Sequence, residues 1–275
     1  MVVVVMLAVI ILGLMAMFTE VQKAFRAGMT QTDVLEGGRV ATEMIARELE
    51  QAQPGYVNAI PGRTNFVALV WNQFVQTLPA STGQRTNIMC NIFFLTHENQ
   101  TWTGIGYFLY PDTTSPPGPV ATLYRFETNN SAVQFSQNPG GMLYAFNRAS
   151  AGFNLTNQVS KVLDGIVHFQ VRASDLNGYW INPAYAINLD FTTNRIWTSS
   201  DWSFFPNQVN YHFLTNGVPA FVDFELGILE QSAYDRYKSL PVYNAQTNYL
   251  AHQAGHVHLF RQRVSVRNVD PAAYQ

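Results

Sequence analysis

The chain has 275 residues, a formal net charge of −2, 12% charged residues and 13% aromatic ones. This polar but largely uncharged composition suits secreted or filament-forming proteins. Its basic residues are scattered rather than gathered into a phosphate-neutralising patch, which argues against nucleic acid as a partner. A single cysteine, Cys90, leaves no route to an intramolecular disulfide or a cysteine-based zinc site, and beside the apolar "IFFL" it reads as a small buried hydrophobe.

From Met1 to Phe18 the chain is uncharged and almost wholly apolar, enough for about 27 Å of helix and just enough to cross a bilayer. Nothing basic precedes Lys23, which fits a secretory signal peptide poorly. Val21, Phe25 and Met29 then recur every fourth residue, and Val40, Met44, Ile45 and Leu49 give a second apolar stripe; the simplest account is one helix over residues 1–53, about 80 Å long. Gly13, Gly28, Gly37 and Gly38 are the places where it is expected to loosen, and Pro54 with Gly55 ends it. Glu43 and Arg47 stand in the favoured order for an ion pair, while Arg39, Glu48 and Glu50 are expected on the wet side.

The sequence "GGRVATEMIARELEQA" after the apolar run resembles the first helix of type IV pilin-like proteins. Within that superfamily it is most similar to the J- and W-type minor subunits of type II secretion pseudopili and type IV pili. The residues that carry the likeness are Gly38, Arg39, Ala41, Met44, Ile45, Arg47, Glu48 and Leu49. The resemblance implies a helix stored in the inner membrane and packed against other pilin or pseudopilin subunits after assembly, with Val5, Ile10, Leu14 and Phe18 as its membrane and filament positions. Family members also carry a basic leader, a Gly at the cleavage point and a Phe-Thr-Leu-type start followed by a glutamate. None of these stands before Met1: either the given sequence begins at an internal Met, or Met1 is the true start, a prepilin peptidase has no substrate motif and the filament reading weakens.

After Pro54 short alternating segments divided by Gly, Pro and Asn predict antiparallel sheet. "TGIGYFLY" and "ATLYRFET" form an expected hairpin, and "GIVHFQVRA" a strand with Val167, Phe169 and Val171 inward and His168, Gln170 and Arg172 outward. "VDFELGI" shows an acidic outer face and "LFRQRVSVRN" a basic one, so pairing them would set opposite charges across from each other. One or two short helices are expected between them, around 232–239 and 244–253, separated by Pro241. The fold class is therefore α+β: a helix over 1–53, with 1–18 in the membrane or filament core, and an antiparallel β-rich head over 54–275. Val40, Met44, Ile45 and Leu49 are expected to pack on that sheet.

Candidate chemistry is sparse. His252, His256 and His258 in "HQAGHVH" include a pair at helical zinc-ligand spacing, but Gly255 and a strand start near Val257 are expected to splay the rings. There is no nucleophile elbow, phosphate loop or dinucleotide fingerprint. No catalytic residue, metal or cofactor is expected. Tyr179, Trp180, Trp197, Trp202, Phe204 and Phe205 cluster in an Asn- and Ser-rich stretch, a composition shared by sugar-binding surfaces and by ordinary packing. The expected function is a non-enzymatic filament subunit, with an extracytoplasmic head on a single membrane helix; the rival is an anchored extracytoplasmic binding domain with carbohydrate as its candidate ligand class.

Overall fold

In the computed structural model the described residues are 2–55, 64–79, 82–112, 118–138, 140–152, 158–182, 196–199 and 209–274. Helix α1 (Val2–Leu49) is continuous for 48 residues, about 72 Å at 1.5 Å per residue. The glycines inside it do not break it. Nine described strands follow: β1 (Thr64–Thr77), β2 (Gln84–Glu98), β3 (Thr101–Pro111), β4 (Ala121–Ser131), β5 (Val159–Ser174), β6 (Ile196–Ser199), β7 (Asn210–Leu214), β8 (Phe221–Leu229) and β9 (Val257–Ser265). They form one sheet in the order β6-β7-β1-β2-β3-β4-β5-β8-β9. The β3–β4 hairpin lies between β2 and β5 at one end, and beyond it these two strands meet at Met89 and Phe169. The chain is thus α+β, a long apolar-ended helix with a large antiparallel sheet.

Alternation along the strands gives the sheet two faces. Ile92, Phe94, Phe169, Val171, Val222, Phe224, Leu226, Ile228 and Val264 point to the side covered by Ile45 and Leu49 of α1. Phe93, Leu95, Phe108 and Phe126 point to the other side, under Phe135 and Phe146 of the short helices α2 (Ala132–Gln137) and α3 (Gly141–Ser150). The helices α4 (Gln231–Lys238) and α5 (Tyr243–Ala251), on either side of Pro241, bury Tyr234, Tyr237 and Leu250 against Val167 and Leu229. Sequence reasoning did not anticipate α2 and α3. The signal for α2 was present: Ser131 and Gln134 form a reciprocal capping box.

The α1 seam runs through Val34, Gly38, Ala41, Ile45, Leu49 and Ala52, three or four residues apart and so on one helical face. Small residues lie at its centre because the sheet side chains press against the backbone. A Cβ at Gly38 would come within 2.3 Å of Phe260 Cε2 and 2.7 Å of Ile228 Cδ1. Gly38→Ala is therefore expected to destabilise the head by about 1–2 kcal/mol despite its better helix propensity. Gly28→Ala, where nothing lies within 4 Å, is expected to be neutral or stabilising; urea unfolding of both variants in detergent checks the contrast in sign.

Two expectations about α1 are corrected here. Glu48 is not on the wet side: its side chain is 18% exposed, and it takes a salt bridge from Arg125 at 2.8 Å and a hydrogen bond from the buried Tyr107 hydroxyl. Burial alone would lower the Arg125 guanidinium's affinity for its proton, but the Glu48 and Glu127 carboxylates outweigh it and raise that affinity. Burial, then the Glu48 charge, pushes the Tyr107 phenol well above its usual range. Glu43, for its part, pairs with Arg39 at 2.8 Å on the exposed side rather than with Arg47.

Candidate functional site

The end of α1 away from the sheet is the strongest functional feature. Every described side chain from Val3 to Asp33 is exposed, and Val34 is the first to be buried. Val5, Ile10, Leu14 and Phe18 are 63%, 58%, 61% and 62% exposed. The segment Val5–Phe25 has mean hydropathy 2.1 with none of it buried. It is one helix long and apolar enough to cross a membrane. Farther along, Val21, Phe25 and Met29 continue the exposed apolar surface up to the start of the seam. A contiguous apolar surface of this extent is unfavourable in water and marks a membrane or protein contact.

Of the four residues expected between helix and sheet, Ile45 and Leu49 are fully buried and Met44 is half-buried against the same core. Val40 is 58% exposed and does not belong to the contact. The reason is geometric: the seam passes through Gly38 and Ala41, and Val40, one residue from Ala41, is turned about 100° away. Choosing the bulkiest apolar residues therefore gave a stripe displaced from the true one, whose centre needs small residues for close approach.

The histidines lie on separate elements. His252 follows α5 with its Nδ1 3.0 Å from the Asn248 carbonyl, and His256 Nδ1 lies 2.8 Å from Glu230 Oε2 in the turn before β9. His258 is in β9 opposite Ile228. The structure does not bring the three rings together. Among the aromatics Tyr179 and Trp180 are exposed, 71% and 46%; the Trp197 side chain and residues Trp202, Phe204 and Phe205 lie outside what is described. Cys90 is buried, and burial pushes its thiol up to about 12. No family model matches the chain, and neither a characterised protein nor a solved structure does.

Proposed function

We propose that the chain is a non-enzymatic structural subunit of a type IV pilus-like or type II secretion filament, resembling the minor pilins and pseudopilins. It is held in the inner membrane by α1, with the sheet on the extracytoplasmic side, and enters the filament when Val5, Ile10, Leu14 and Phe18 exchange lipid for helices of neighbouring subunits. The observation that carries this reading is the division of one unbroken helix into a seam fixed to the sheet and an apolar length whose described side chains are all exposed. A membrane anchor alone needs only about 20 residues. Here the exposed apolar surface runs on to Met29, beyond the span, where a filament neighbour would cover it.

Leu14→Asp places a charge where lipid or neighbouring helices would be, at a cost of about 2.5–3.5 kcal/mol on insertion scales. We expect the variant to vanish from filaments sheared off cells that assemble the wild-type chain. Wild-type protein found only as membrane-bound monomers would favour the second reading, an anchored extracytoplasmic binding domain.

A further inference from the structure

The sheet face opposite α1 is covered by helices over β3–β4 and near Val167, and between these patches no described residue covers it. There a cleft of about 750 Å³ is lined by Arg85, His168, Arg172, Trp180, Asp223, Glu225, Arg261 and Arg263 with their neighbours. This volume lies within the usual range for small-ligand sites, about 300–1,000 Å³. Four arginines face two carboxylates.

The carboxylates are already engaged. Arg261 grips Glu225 through two nitrogens, at 2.7 and 3.1 Å, and Asp223 has Arg263 at 3.8 Å and the Ser174 hydroxyl at 3.5 Å. These are the cross-strand pairs that the alternating charges of β8 and β9 predicted. Three donors are not engaged. Arg172 has no ion pair among the described residues. Arg85 gives one hydrogen bond to Gln76, yet its buried Nε–H has no partner. His168, 3% exposed, accepts the Ile88 N–H on Nδ1 at 3.0 Å, which leaves the proton on Nε2, also without a partner. Glu225 is 3.8 Å from that nitrogen, beyond hydrogen-bond range.

His168 shares the cleft face with Gln170 and Arg172, as alternation predicts, and the residue that breaks the alternation is Val167. The β5–β8 register shifts between Ile166 and His168, so Val167 packs under α4 and α5 while His168 lines the cleft on that same face. The alternation expected for this strand, with Val167 inward, is corrected by that bulge, a device that re-aims a side chain. Buried donors without partners are costly, and each calls for an acceptor.

One wall is aromatic and fixed. Trp180 donates its indole N–H to the buried Tyr211 hydroxyl, and Arg172 stands 5.8 Å from its ring centre. The preceding turn is held by Asp175, whose Oδ1 accepts the N–H groups of Asn177 and Tyr179 at 2.9 Å each. The carbonyl of Gly178, a residue at φ +81°, accepts a hydrogen bond from the Arg263 guanidinium at 3.3 Å.

From these unpartnered donors beside a rigid indole we propose that the cleft binds an acidic saccharide. A sugar carboxylate is held by Arg172 with the Nε–H groups of Arg85 and His168, and the sugar ring lies against Trp180. Carboxylate contacts of this kind are charge-assisted, and the indole offers the apolar face that a sugar ring packs on. The site is on the face away from α1, so it stands whether or not the chain forms filaments.

The test uses the full chain in detergent micelles, with trigalacturonate as probe and Trp180 fluorescence or calorimetry as readout. Trigalacturonate is expected to bind at sub-millimolar concentration, more weakly as salt rises. Its neutral galactose counterpart and an acidic hexapeptide are each expected to bind about tenfold more weakly or worse, and Arg172→Gln, an exposed position, to lose about tenfold for trigalacturonate. Trp180→Ala is expected to weaken the saccharide but not the peptide. Absence of binding at millimolar trigalacturonate would overturn the proposal. So would equal affinity for the neutral sugar, equal affinity for the peptide, or an unchanged Arg172→Gln.

Discussion

Leu49→Ala is expected to destabilise the folded head by about 2–5 kcal/mol, the range for emptying a fully buried leucine site. Leu49 is wholly buried, in one core with Ile45 and the inner sides of β5, β8 and β9. Its neighbours cannot collapse easily into the gap. The seam around it is tight: Gly38 is pressed by Phe260, and Arg125 ties Glu48 to β4. Glu43→Ala, on the exposed side, removes only the surface pair with Arg39 and is expected to cost well under 1 kcal/mol. Urea midpoints of the two variants in detergent decide the matter. Equal shifts would mean that α1 is not fastened to the sheet by this seam.

The second large effect is acid lability between about pH 6.5 and 4. Burial, against the pull of Glu225 and helped by Arg85, Arg261 and Arg172, lowers the His168 pKa from 6.5 to about 4. Burial alone does the same to His212. Each folded-state pKa lies below the unfolded one, so both states are neutral above pH 6.5 and no penalty exists there. Below it the unfolded chain takes up the extra proton first, and stability falls as pH drops until the folded pKa is passed. For His168 the loss amounts to about 3 kcal/mol at pH 4. His168→Gln is expected to flatten the pH dependence across that window, compared with wild type by unfolding at pH 7, 6, 5 and 4. An unchanged slope in the variant would show that this imidazole is not held neutral.

The features legible in the sequence are those that a local period encodes. The apolar run, the alternation in β3 and β4, the acidic face of β8, the basic face of β9 and the two helices around Pro241 are each set by spacing within a dozen residues or so. What escaped depends on partners far along the chain. Glu48 has the charge of a wet-side residue, but Arg125 and Tyr107, each well over 50 positions away, draw it onto the sheet. Val40 has the bulk of a core residue, and close helix-to-sheet approach favours Ala41 instead. The bulge that puts Val167 on the same face as His168 follows from the β5–β8 register, which alternation alone does not specify.

Whether α1 packs against neighbouring helices can be measured directly. Cys90 is buried and its thiol is pushed up to about 12, so a Leu14→Cys variant carries one reactive thiol, to which a benzophenone maleimide can be attached. Photolysis in cells that assemble the protein is expected to give adducts of dimer mass or larger, with cross-linked peptides from α1 of another copy or of a related subunit. Adducts with lipid alone, in cells where the protein is correctly exported and folded, would contradict the filament account.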